Sequence, residues 1–351
     1  MSTLYPLLTE RRLVSPMWGG SELAAWLNLP EPRPERLGET WQVYDQNTVV
    51  NGPLAGQSLA EVARAHGPAL IGTRSFARYG TDFPLLAKFI DAADRLSIQV
   101  HPDDEYAHRH EAASGFHGKT EAWYILSAGP NASVTYGLAQ SSSRAQVEAA
   151  VRAGTVEALL KVLPVQAGDV IFVPAGTVHA IGAGVVLFEI QQKSDLTYRV
   201  YDYDRRDAAT GRPRALHLEQ ALDVMDYSPI TRGLVPHLPL AAGRELLVAC
   251  PLFALERWRL DVAATLATDP GTLEILTVIE GAAALDSPGG RLALARGDSV
   301  VVPATLGGYQ LAPAASARLL RVWVPDLEQD LLAPLRRAGV DAARAAQTIF
   351  P

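Results

Sequence analysis

The sequence predicts a mainly β protein built as two jelly-roll barrels with short helical insertions. Short apolar runs with Gly and Pro between them outnumber helical windows, as in a sandwich or barrel. The segment GDSVVVPATLGG, from Gly297 to Gly308, repeats GDVIFVPAGTVH, from Gly168 to His179. Likewise LEILTVIEG (273–281) parallels EAWYILSAG (121–129), setting Leu273 opposite Glu121 and Gly308 opposite His179. The repeat implies a first domain over residues 1–235, with a helical insertion near 143–162. A second domain covers 240–351 and ends in a helix.

In chain order, residues 1–55 read as short strands and turns around MWGG and GETW, and Ser21 caps a short helix, SELAAWL. Ser58 and Glu61 make a capping-box pattern that starts a helix ending at Gly67. From Phe83 to His101 the pattern is strand, with Lys88 inside the apolar run PLLAKFI, either at an edge or aimed at something anionic. Asp103 and Asp104 read as turn residues after Pro102, and His108 and His110 as members of a polar loop. Residues 134–138 form another strand. Ser143 to about Val162 shows helical periodicity interrupted by Gly154, hence two short helices. Strands return in DVIFVPAGTVHAIG, VVLFEIQQ and LTYRVYDYD, then a helix near LHLEQALDVM and a proline-rich connector around 228–240. Residues 245–325 read as short strands, and the tail DLEQDLLAPLRRAGVDAARAAQ as one helix or two.

Bulk properties exclude several classes. A net charge of −7 argues against nonspecific nucleic-acid binding, which needs a basic face. No segment reaches the roughly 20 apolar residues of a membrane span, and the start lacks a signal-peptide core. The single Cys250 excludes an intramolecular disulfide and a cysteine-based zinc site, and suits a reducing cytoplasm.

The chemistry-bearing residues lie between Leu96 and Leu126, with one more at His179. Ser97, Gln99 and His101 share parity in one apolar run, as do Lys119, Glu121 and Trp123 in a second. Side by side, those strands gather a Gln, a His and a Glu with a Lys beside them. These are metal-ligand atom types on the inside of a sheet, where an unpaired carboxylate is costly. The alternative is a buried hydrogen-bonded cluster without metal. In GDVIFVPAGTVH, residues Gly168, Pro174, Gly176 and His179 have the spacing G-x5-P-x-G-x2-H. That spacing resembles the second motif of the cupin family, small jelly rolls that usually hold a metal. Neither Leu273 nor Gly308 offers a ligand, so the second barrel is expected without metal ligands, as structural cover.

Taken together, LSIQVHPDDEYA, GKTEAWYIL, VPAGTVHAIG, EIQQKSDLTYRVYDYDR, GETWQV and NGPLAG resemble the type I mannose-6-phosphate isomerase family in its short bacterial form. The likeness is dense from about Pro6 through Asp226 and thinner beyond. It implies a zinc-dependent aldose–ketose isomerase that interconverts mannose 6-phosphate and fructose 6-phosphate, with one Zn²⁺ per chain. Carried over by motif, the metal ligands are Gln99, His101, Glu121 and His179. Lys88 and Ser97 match positions facing the substrate phosphate, and Trp41 matches an aromatic wall of the pocket. Lys119, Glu189 and Arg199 match catalytic positions. Long-form relatives read His-Lys-Pro-Glu where this chain has Gly118-Lys119-Thr120-Glu121. The role proposed for that His has no direct heir, although His117 lies next door, and the ring-opening group stays open.

Moving a proton between C1 and C2 passes through a cis-enediol(ate), which a metal and a nearby cation such as Arg199 stabilise. Lys119, Glu189 and a metal-bound water stand as alternative bases, Lys119 being favoured for proximity to the metal. Another metal-dependent cupin enzyme or a non-catalytic sugar-binding cupin are the competing functions. The expected partner is a small sugar phosphate, with no nucleic acid and no membrane. A monomer is compatible with the sequence, which leaves the oligomeric state open.

Overall fold

Alternating runs fold as strands, and most helical windows stay within two turns. A computed structural model describes residues 4–206, 211–241 and 243–351. The helix Glu22–Trp26 forms without a side-chain cap from Ser21, whereas the Ser58–Glu61 capping box is realised. The Ser58 hydroxyl accepts from the Glu61 backbone N–H while the Glu61 carboxylate accepts from Ser58 N–H, opening the helix Leu59–His66 that stops at Gly67.

Three elements differ from the sequence reading. The helix Arg144–Arg152 ends before Gly154, but its successors are a 3₁₀ turn, Val156–Leu159, and a strand, Leu160–Pro164. The segment read as turn and polar loop after Pro102 is a helix, Asp104–His110, because the Asp103 carboxylate accepts from Tyr106 N–H and caps it. The strands after residue 245 are not all short: Glu274–Ser287 and Gly308–Trp323 run 14 and 16 residues and pair antiparallel.

The chain forms two compact units. The unit that carries the site comprises Leu13–Thr40 and Lys88–Leu234. One of its sheets has five strands in the order Tyr198–Tyr201, Ile98–Val100, His179–Ile181, Ser133–Leu138, Leu160–Pro164. A six-stranded sheet runs Arg12–Val14, Glu39–Val43, Leu85–Ala92, Val185–Gln192, Glu121–Ala128, Val170–Val173. Trp123, Tyr136, Ile125, Ile171 and Leu187 fill one buried cluster of this unit, and Ile98, Val100, Tyr198 and Val200 join a second.

The other unit contains the N-terminal residues through Arg12, Trp41–Ala87 and Val235–Pro351. The segments before Arg12 and at 41–87, expected in the first domain, thus group with the C-terminal residues. Their partners explain it. Leu7 and Leu8 pair with Val301 and Val300, while Ala304 N–H donates to Leu70 O and Thr73 N–H to Pro270 O. The sheet of this unit runs through Leu7–Leu8, Ser299–Val302, Glu274–Ser287, Gly308–Trp323, Ala254–Leu260, Arg244–Ala249 and Leu238–Ala241.

Strand register also corrects the internal repeat by one residue. Glu121 pairs with Val173, and in the repeated segment the residue paired with Val302 is Glu274, not Leu273. The carboxylate position is therefore retained. The histidine position is Gly308, and Ala267, paired with it, stands where Gln99 stands beside His179, so both of those ligand positions are lost. Among the described residues, no helix is long and apolar enough to cross a membrane.

Candidate metal centre and cavity

Antiparallel pairing sets the site. His179 pairs with Gln99, and Glu121 with Gln191 and Val173, so strands from both sheets deliver side chains to one buried point. His101, Glu121 and His179 are at most 1 % exposed, and their candidate ligand atoms all lie within 4.8 Å of one another. His179 Nε2 is 3.2 Å from Glu121 Oε1, and His101 Nε2 is 3.5 Å from Oε2. The other ring nitrogens are taken: His101 Nδ1 lies 2.8 Å from Leu196 O, and His179 Nδ1 2.8 Å from Thr177 O. A carbonyl can only accept, so each Nδ1 carries the proton and each Nε2 presents its lone pair.

Glu121 decides what this cluster can hold. Neither of its carboxylate oxygens has a hydrogen-bond partner of acceptable geometry, although Lys119 Nζ stands 2.8 Å from Oε2. A buried carboxylate without donors is costly, and two imidazole lone pairs facing it cannot supply any. The set fits a divalent cation: two neutral nitrogens and an anionic oxygen, with second-sphere carbonyls fixing the tautomers. Gln99 sits beside it, with its amide 3.3 Å from His179 Nε2. Burial followed by the Lys119 charge drives the His101 pKa well below its usual value. Lys119, His101 and His179 overcome burial to hold Glu121 well below the usual carboxylate range. At neutral pH both groups are in the forms a metal requires.

A cavity of about 370 Å³ opens beside the cluster, lined by Gln99, Lys119, Ser97, Arg199, Glu189 and Lys88 among others. Lys119 Nζ is 3.0 Å from His101 Nε2, so this lysine touches the ligand set itself. Glu189 accepts from Trp123 Nε1 at 2.9 Å and pairs with Lys88 at 3.1 Å. Burial, then the Glu121 charge, pushes its pKa up, with Lys88 and Lys119 opposing. Lys88, 6 % exposed, is neither an edge residue nor snorkelling: it also meets Glu39 at 3.4 Å. Those two carboxylates keep it charged against the pull of burial. Arg199 Nε donates to Ser97 Oγ at 3.3 Å.

Not every expected residue is here. Trp41 is not among the residues lining the cavity. Its ring is covered by the Arg12 guanidinium at 4.7 Å and the edge of Tyr44 at 4.8 Å. The aromatic residue in the lining is Trp18, from the MWGG segment that reads as a turn. His117 is likewise absent from the lining and meets His108, 2.9 Å between ring nitrogens. Sequence reasoning missed Glu39, Asp195, Thr197 and Arg214. Glu39 opens the strand Glu39–Val43 inside the GETW run, where strand parity could have raised it, whereas Asp195 and Thr197 lie in the loop before the strand Tyr198–Tyr201, which parity does not reach.

Comparison with known proteins agrees with this geometry. The description "Phosphomannose isomerase type I, catalytic domain" matches residues 9–125, and "Mannose-6-phosphate isomerase, cupin domain" matches residues 244–323. The mannose-6-phosphate isomerase of Streptococcus mutans is 36% identical over 311 residues, covering 87% of this chain and 94% of that protein. The chain belongs to the type I mannose-6-phosphate isomerase family. The crystal structure of the mannose 6-phosphate isomerase from Bacillus subtilis superposes with a TM-score of 0.80 at 32% identity, covering 90% of this chain and 99% of that one. A family structure described as holo and zinc-bound shares the fold at 18% identity, TM-score 0.71, over 91% of this chain and 99% of its own.

Proposed function

We propose that the chain interconverts mannose 6-phosphate and fructose 6-phosphate, using one zinc ion held by His101, Glu121, His179 and Gln99. The observation that carries this reading is the buried Glu121 carboxylate, its oxygens without a well-aligned hydrogen-bond donor, facing two histidine Nε2 atoms. Family membership and the zinc-bound relative support it. Zinc supplies Lewis-acid stabilisation of the negative charge that develops at the sugar oxygens.

The chain's own groups do the rest. Lys119, in contact with the ligand set and lining the cavity, would take the proton from one carbon as its neutral amine and return it to the other as the ammonium it becomes. Glu189, ionised and anchored by Trp123 and Lys88, fixes the local field and stands beside the path of that proton. Arg199 presents a positive charge to the developing enediolate. Ser97, with Lys88 deeper in the wall, faces the phosphorylated end of the sugar. The second repeat forms a barrel without a metal: His179 becomes Gly308, and Glu274 accepts from Tyr309 and Arg321. The protein is a cytoplasmic enzyme of sugar-phosphate metabolism.

A coupled assay with metal analysis tests the proposal. Purified protein is expected to carry about one zinc per chain, to convert mannose 6-phosphate, and to stop on chelation. Metal-replete protein without that turnover would overturn it.

A further inference from the structure

The cavity has a cationic end that includes Arg214, a residue for which the proposed proton transfer has no use. Arg214 lines it together with Ser97, Thr197 and Arg199. Behind Arg214 stands Asp202, only 5 % exposed, which receives Arg214 Nε on Oδ2 at 2.8 Å and a terminal Arg214 nitrogen on Oδ1. The same carboxylate takes Arg205 at 2.6 Å, and Arg205 is tied down further by Arg95 O and Asp94. Arg199 donates to Ser97 Oγ and to Ala215 O and has no carboxylate partner among the described residues. Two guanidinium groups, Arg214 and Arg205, thus share one carboxylate, and Arg199 stands with Arg214 in the cavity wall. Counting Asp195 in the cavity wall still leaves positive charge in excess.

Grouping like charges this way is unfavourable unless an anion joins them. Burial, and then the repulsion of Arg214, lowers the Arg199 pKa. The remaining carboxylates of the wall, Glu39 and Glu189, pair with Lys88. Asp202 fixes the Nε edge of Arg214, which leaves the remaining terminal N–H groups of this cavity-lining residue for an anion such as a phosphate.

We propose that Arg214, positioned by Asp202, is a phosphate-recognising residue that with Arg199 and Ser97 selects phosphorylated over free sugars. This role rests on the sugar-phosphate isomerase function. Asp202 acts through geometry, not charge: removing its negative charge weakens phosphate binding, although simple electrostatics would strengthen it.

The test measures steady-state kinetics of the zinc-loaded enzyme with mannose 6-phosphate, and the inhibition constant of inorganic phosphate, for four variants. Arg214→Ala is expected to raise KM and the phosphate inhibition constant together by about 10–100-fold, the range for a lost charge-assisted hydrogen bond, with kcat within about threefold. Arg214→Lys keeps the charge without the fork and recovers part of the loss. Asp202→Asn raises KM about fivefold or more, as a misaligned charged contact does. Arg144→Ala, which breaks a comparable exposed pair with Asp223 and Glu219, changes neither constant. Unchanged KM and inhibition constant in both Arg214 variants would overturn the subsite, and a lowered KM in Asp202→Asn would overturn the positioning role. Phosphate binding that depends on Arg214 in an enzyme inactive on mannose 6-phosphate would sink the isomerase reading and leave the subsite standing.

Discussion

Glu121 and Glu274 occupy matching registers in the two repeats, pairing with Val173 of GDVIFV and Val302 of GDSVVV, and both are at most 1 % exposed. What surrounds them differs. Glu121 has two histidine nitrogens and a lysine about it and no well-aligned donor on either oxygen. Glu274 accepts from the Tyr309 hydroxyl and from Arg321, each at 2.5 Å. Arg321 pairs across from Leu276 as Glu189 pairs across from Trp123. One repeat thus has a carboxylate where the other has a guanidinium. The lesson is that the scaffold buries a carboxylate at this point in either case. Whether it serves chemistry or structure depends on whether the protein supplies its donors.

The sharpest way to break this contrast is to remove each carboxylate. Glu121→Ala is expected to abolish both zinc retention and turnover, read by metal analysis and the coupled assay. Glu274→Gln is expected to keep zinc content and kcat while destabilising the fold by about 1–3 kcal/mol, read by thermal melting. Loss of zinc from Glu274→Gln would end the distinction. Next, Lys119→Met should retain metal and lower kcat by about 10²–10⁴-fold, as loss of an acid–base group does. An unaltered kcat would remove Lys119 from the proton path.

The pH profile sharpens the role of Glu189. Its pKa is raised above the ordinary 4.5 by burial and by Glu121, and the ionised form is the working one. Activity should therefore fall as pH drops through that raised value, and Glu189→Gln should flatten this acid limb of kcat/KM. Smallest is the effect expected at Cys250, buried, with its thiol pushed up to about 11 by burial. A maleimide should label native protein at pH 8 far more slowly than unfolded protein.

These contrasts also show what the sequence carried. Residues fixed by strand parity and a sharp turn, His101, Glu121 and His179, were legible because a side chain's face follows from its place in the strand. The Ser58–Glu61 box was legible because its chemistry is local. Lys88 could be placed in a strand, but its partners Glu39 and Glu189 come from distant strands, and no local pattern pairs them. Trp41 and Trp18 illustrate the same limit: both precede or follow glycine-rich turns, and only tertiary packing decides which ring meets the cavity. The one-residue slip between Leu273 and Glu274 arose because apolar runs align equally well at neighbouring registers, whereas backbone pairing permits one.

The central claim is that His101, Glu121 and His179 close around one divalent ion. Zinc-edge X-ray absorption on the purified enzyme tests it most directly. The expected spectrum shows imidazole scattering from two histidines with nitrogen and oxygen neighbours at about 2.0–2.2 Å, and loses it in His179→Ala. A spectrum of zinc bound by water and carboxylate alone, unchanged in that variant, would contradict it.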